Sequence, residues 1–303
     1  MPLIVALAII CLFCTPVYAQ QNAARAVAAC DRLAASDMDP ERPASVPGVP
    51  SVVLNGEAAL RACTVAVKAE PRNARILFQF GRALSAVRRN EEARKALQLA
   101  VSLGSKSALE AYAGALEQGV GGPRDLPQAR KLYEKAAAAG YATAMSALGR
   151  MYANGTGVLR SVALAQRWDE QAVRGLEKLA VAGSPEATYL LAQAYRDGRG
   201  VPADAATATQ FLTLAAKRGH PAAMLELGER AEDNRDFAKA RDWYVQAGKV
   251  GHTPSMIKLG MLYEDGRAGS RQPAIAKRLY ELAAAQGDRS GEEQLARLRN
   301  ASR

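Results

Sequence analysis

The pattern Ala-x-x-x-Leu-Gly-x-x-Tyr-x-x-Gly returns along this chain, anchored at Ala108, Ala144, Ala187, Ala223 and Ser255. A second block follows each return, anchored at Ala129, Ala165, Ala208, Ala240 and Ala276. The first anchors step by 36, 43, 36 and 32 residues. Such a period means a stack of helix pairs, because one pair cannot bury its apolar face alone. The expected fold is all-α: a right-handed α/α superhelical solenoid of antiparallel helix pairs. Stacks of this kind bind other chains far more often than they perform chemistry.

Hydrophobic residues make up 49% of the chain but aromatics only 6%. Alanine supplies much of the difference, favouring helix and letting helices approach closely. The formal net charge is +10, enough to attract anionic partners at low salt. Most of that charge alternates in sign along helices, as in Glu91-Glu92-Ala93-Arg94-Lys95, the habit of a solvated face. Basic segments with interleaved aromatics are absent, so a nucleic-acid partner is not expected.

Leu3 to Phe13 is an apolar run too short to span a bilayer, and Val17-Tyr18-Ala19 offers a small residue before Gln20. Residues 1–19 read as a signal peptide, making the mature chain periplasmic or secreted and without a membrane span. No Lys or Arg precedes the run, so an uncleaved N-terminal anchor stays open. Cys11 and Cys14 fall inside this segment, which leaves Cys30 and Cys63 as an even pair. The inference is a disulfide joining the first two helices across a Pro-rich segment. Two buried free thiols are the alternative.

The first helix is expected over Asn22–Ser36 and a second over Asn55–Ala69, so residues 20–71 form an N-terminal cap. From Asn73 the spacing becomes that of a tetratricopeptide-like unit, through 104. Five longer copies follow over 105–287, then a capping helix in 288–303. Their connecting loops carry Asn154-Gly-Thr-Gly-Val158 or Asp197-Gly-Arg-Gly-Val201, a glycine helix stop with an apolar plug. Copy four lacks this loop, which accounts for the step of 32. In the long step, seven extra residues, close to two helical turns, predict one over-long helix from about Val162 to Val181, unless Gly175 bends it. Pro127, Pro185, Pro221, Pro254 and Pro273 fall in first helical turns, where a missing N–H costs nothing.

On Ala144-Met-Ser-Ala-Leu-Gly-Arg-Met-Tyr-Ala-Asn-Gly-Thr-Gly-Val158 and Ala240-Arg-Asp-Trp-Tyr-Val-Gln-Ala247 the chain resembles the Sel-one-like repeat family, relatives of tetratricopeptide repeats. The cap with Cys30 and Cys63 looks like that of exported bacterial members. The resemblance implies a non-enzymatic adaptor or scaffold with a concave groove for a protein or peptide. For exported members it also implies links to envelope signalling, secretion or host interaction. A peptidoglycan-associated accessory or enzyme is the alternative.

The only histidines, His220 and His252, occupy one phase in adjacent copies, where Tyr141 stands earlier. That favours a structural place over a metal or acid–base role. No phosphate loop is present, and the Gly-x-Gly pairs lie between helices rather than after a strand. No cofactor or metal is expected. The candidate groove lining is the outer stripe of each first helix: Phe78 and Arg82, Glu110, Ser146 and Arg150, Tyr189, Gln193 and Arg196, Leu225 and Glu229, Ile257 and Met261. Arg75, Arg82 and Arg150 would make its early half basic; Glu229, Glu232 and Glu264 would make its late half acidic. The competing reading packs Tyr189, Leu225 and Ile257 between copies.

Overall fold

The computed structural model describes residues 20–39, 42–50, 54–267 and 269–301. The signal segment expected over residues 1–19 lies outside the described residues. Among those described, all regular structure is α-helical. Helix α1 covers residues 20–34. It is followed by α2 Gly56–Ala69, α3 Ala74–Ala86, α4 Asn90–Ser102, α5 Ser107–Gln118, α6 Leu126–Ala138 and α7 Ala142–Asn154. Then come α8 Val162–Val181, α9 Pro185–Asp197, α10 Ala205–Lys217, α11 Pro221–Asp233, α12 Phe237–Lys249, α13 Thr253–Asp265, α14 Pro273–Ala285 and α15 Arg289–Ala301. The chain divides into two compact units, one through Gly175 and one from Leu176.

Local chemistry sets the boundaries. Asn55, Asn73, Asp125, Ser184, Asp204 and Asp236 each accept a main-chain N–H from the first turn of the helix they precede. Such a cap is worth about 1 kcal/mol. Gly119, Gly155, Gly198 and Gly266 end their helices in the left-handed conformation. Copy four has no such glycine. There Arg235 takes the left-handed turn at φ 60°, as Arg88 does at φ 61° in the tetratricopeptide-like unit.

Helix α8 runs for 20 residues, against 13 in α7 and α9. Two added turns keep its apolar face in phase. Gly175 serves close packing: a Cβ there would stand 2.8 Å from the Cβ of Ala142.

In the first unit, α1, α2 and α3 share a core of Cys30, Ala34, Leu60, Cys63, Ile76 and Leu84. A second core runs from Leu77 through Tyr112, Leu116 and Tyr133 to Leu148 and Met151. Cys30 and Cys63 are fully buried and joined in a disulfide. Closing that loop of 33 residues is worth about 3–4 kcal/mol in the chain-entropy picture. In the second unit, successive cores centre on Leu212 and Met224, on Tyr244 and Leu262, and on Ile257 and Tyr280. Alanines at the anchor positions are fully buried throughout, at Ala108, Ala144, Ala187 and Ala223. No helix among the described residues is long and apolar enough to cross a membrane.

Candidate functional site

The surface that a stack offers is set by how its first helices are held, and three copies use one device. Tyr133 donates to Glu117 at 2.9 Å, Tyr244 to Glu232 at 2.6 Å and Tyr280 to Glu264 at 3.1 Å. Each carboxylate also meets a cation from the element that follows: Arg150 on Glu117, Lys258 and Arg267 on Glu232, Arg297 on Glu264. Burial, with the neighbouring carboxylate, pushes the three phenols well above their usual range, so they remain donors. The hydrogen bond from Arg297 holds Glu264 below the usual carboxylate range. Copies two and three carry Ala153 with Asp169, and Arg196 with Leu212, at the Glu and Tyr positions. Close packing accompanies the device, since a Cβ on Gly228 would stand 2.3 Å from the Tyr244 ring.

In the first unit the row of first helices is α3, α5 and α7. Phe78 does not line an exposed stripe as its phase predicts; it is buried at 6% exposure within the core. A first helix in a stack is flanked by its own partner and by the next copy, so its buried arc is wider than one stripe. Arg82 is half-buried and donates to the carbonyls of Ala34 at 2.5 Å and Val49 at 2.9 Å. Arg75 pairs with buried Asp31, to which Gln79 also donates at 2.8 Å. Glu110 accepts from Thr143 of the next copy, and Arg150 is exposed beside Glu117.

In the second unit the row is α9, α11 and α13. Tyr189 stacks on His220 with ring centroids 4.4 Å apart. His220 is 1% exposed; its Nδ1 accepts the Ala223 N–H at 3.2 Å, which leaves Nε2 as donor to Glu186 at 3.0 Å. It is a helix cap. His252, one copy on, precedes α13 and lies 2.9 Å from the Ser255 hydroxyl. Burial pushes the His252 imidazole down to about 4, helped by His220 and opposed by Asp288. Gln193 is half-buried and bonded to the Tyr189 hydroxyl. Arg196 bridges Asp197 at 3.0 Å and Glu226 at 3.3 Å, and Arg230 reaches Glu226 at 2.8 Å. Lys258 reaches Glu229 at 3.2 Å. Ile257 is buried at 7% exposure, and Leu225 packs half-buried on a core, so neither presents a free apolar anchor.

The basic early half and acidic late half do not stand as bare fields. Arg75, Arg82 and Arg150 are engaged, and so are Glu229, Glu232 and Glu264. Opposite charges on neighbouring first helices meet at offset positions of the repeat: Glu117, nine past its anchor, meets Arg150, six past its own, and Glu229, six past, meets Lys258, three past. The structure adds Glu226, Arg230 and Lys258 to the second row, residues that lie outside the predicted stripe. Their place one position off the stripe is visible only once Arg196 is seen to reach across to α11. Among the described residues no group of three His, Cys, Asp or Glu side chains is placed to hold a metal ion.

The Sel1 repeat family matches residues 106–141, 142–174, 185–220, 221–252 and 253–288. Among solved structures the chain is similar to a Sel1 repeat protein from Oxalobacter formigenes, 25% identical with a TM-score of 0.50, over 71% of this chain and 86% of that one. It is also similar to immunity protein Pa5087 from Pseudomonas aeruginosa, 19% identical with a TM-score of 0.50, over 84% and 88%. The second likeness bears on the fold alone. Comparison with curated protein sequences finds no match. Matched in phase over more than half its length, the chain belongs to the Sel1 repeat family.

Proposed function

We propose that this chain is an exported, non-enzymatic scaffold that docks a protein partner on the first-helix row of its second unit. Sel1 repeat proteins are in general protein-interaction scaffolds. One observation carries the placement. Arg196 and Glu226, and Glu229 and Lys258, bridge neighbouring first helices while remaining partly solvent-exposed, with Tyr189 alongside. Such exposed pairs contribute only about 0–1 kcal/mol to stability. They can therefore exchange partners cheaply, while Arg and Tyr on rigid helices are the usual anchors of an interface. Export is supported by the apolar run before Ala19 and by the buried disulfide, which oxidising compartments maintain.

A photo-crosslinking residue at position 193, in intact cells, should trap a specific protein, and Arg196→Glu with Glu229→Arg should abolish that product. An unchanged product would exclude this surface. Mass measurement of the exported chain without reductant reports cleavage after Ala19 and the Cys30–Cys63 bond together.

A further inference from the structure

The loops that follow α5 and α7 each come back over the second helix of the copy before, and they do so at matching positions. A Cβ on Gly121 would stand 2.2 Å from the Asn90 carbonyl oxygen at the start of α4. One on Gly157 would stand 2.7 Å from the Leu126 Cβ at the start of α6. Asn90 and Leu126 each lie three residues before an anchor, Ala93 and Ala129. The two loops therefore compare residue by residue. Just past the matching glycine, the later loop carries Val158, packed half-buried on the core, and the earlier one carries Gly122. An open hollow of about 590 Å³ lies at the earlier loop, lined by Glu91, Arg94, Lys95 and Gln98 of α4 and by Gly121 and Gly122.

Charge follows the same comparison. One residue past the anchor, α6 carries Arg130, α12 Arg241 and α14 Lys277. Each has a carboxylate: Glu134 at 2.5 Å, Asp242 at 3.0 Å and Glu281 at 4.0 Å. In α6 and α14 it stands four residues on, and in α4 that place is taken by Gln98. Arg94 thus keeps the cation without the carboxylate that the other copies supply. Its Nη1 is buried without a hydrogen-bond partner among the described residues, 2.9 Å from where a Gly122 Cβ would stand. Glu91, one turn earlier, is paired with Lys95 at 2.6 Å. A buried charged donor left unbonded is costly, so an acceptor brought to it is favoured.

We propose that this hollow binds a carboxylate carried on a small apolar group. The guanidinium of Arg94 takes the carboxylate as Arg130 takes Glu134, and the apolar group lies beside Gly122, where Val158 stands in the later loop. Arg94 is half-buried and lines the hollow, so a ligand there meets its side chain, and a turn of the guanidinium brings Nη1 out from under the loop. Glu91 on the same rim disfavours a doubly charged anion such as phosphate, so the site selects a single negative charge. The carboxylate has two sources, an acidic side chain of a protein partner or a free short-chain acid.

The probes are isovalerate, a free acid, and the blocked peptide acetyl-Ala-Glu-Ala-amide, whose only charge is its side chain. Each is titrated into the oxidised full chain while NMR follows the side-chain Nε–H of Arg94, with that of Arg130 as internal reference. One probe or both should shift the Arg94 signal to saturation and leave Arg130 still, and the probe that does so assigns the source. Gln98→Glu, at an exposed helical position, supplies the carboxylate found in the other copies. It should weaken binding about tenfold, because the new group both takes the guanidinium and repels a second anion. Arg94→Gln should abolish binding. Saturation by neither probe, equal binding by Gln98→Glu, or the same response to sodium sulfate would overturn the proposal. The row of α9, α11 and α13 has no part in these outcomes, so failure here and failure of the scaffold reading are separable.

Discussion

In the first unit, Arg82 is satisfied by two main-chain carbonyls; in the second, Arg196 is satisfied by the side chains of Asp197 and Glu226. Both arginines stand on first helices, in the phase predicted to face a partner. The difference lies in what must be broken to release them. Main-chain partners move only if a whole segment moves, whereas a carboxylate on the surface re-pairs by rotating a side chain. The first unit therefore closes its row with backbone, and the second covers its row with exchangeable charge.

The largest test of this contrast is covalent. Cys30→Ala with Cys63→Ala should cost the first unit about 3–4 kcal/mol. Hydrogen exchange should show faster opening in α1 and α2 and leave α11 to α14 unchanged. A uniform loss across both units would erase the distinction. Next comes packing in the second unit. Gly228→Ala brings a Cβ within 2.3 Å of the buried Tyr244 ring and should cost about 1–3 kcal/mol, read by chemical denaturation.

A pH titration separates the units more gently. His252 is held neutral in the fold, with its value depressed to about 4, while an unfolded histidine titrates near 6.5. Unfolding therefore takes up about one proton between these values, so the second unit should lose stability as pH falls from about 6.5 towards 4. His252→Gln should flatten that slope, as measured by denaturation at several pH values, and a slope that survives would place its origin elsewhere. The smallest effect is in the turns. Arg235→Gly relieves a left-handed backbone at φ 60° and should gain about 0.5–1 kcal/mol in melting experiments. Arg88→Gly, at φ 61° in the first unit, should gain as much, since this device is common to both.

Periodicity makes the helices legible, including the two added turns of α8 and the missing loop of copy four. Both are questions of counting along one chain, and the residues that answer them lie within a turn or two of each other. The surface is less legible. Phe78 falls in the phase of an outer stripe, but the next copy buries that phase. Arg82 reads as a free cation because its partners are carbonyls, which have no identity in a sequence. Asp39 meets Ser107 and Tyr141 from 68 and 102 residues away, a distance that no repeat encodes. The second row is partly legible through Tyr189, Gln193, Arg196 and Glu229, because repeats preserve phase. The pairing of Arg196 with Glu226 depends on side-chain reach across helices.

The Tyr–Glu–cation device has a consequence for where such a chain can be cut. Glu117 belongs to one copy and Arg150 to the next, so the energetic unit is out of step with the repeated letters. A chain cut neatly at a repeat boundary would keep a buried carboxylate and discard its counter-charge, which is costly. Helix α15 follows the same rule. Its Arg297, six residues past Gly291 as Arg150 is six past Ala144, gives Glu264 of the fifth copy the cation that a further copy would bring. Shortened or recombined arrays should therefore be joined one helix beyond the last repeat they mean to keep.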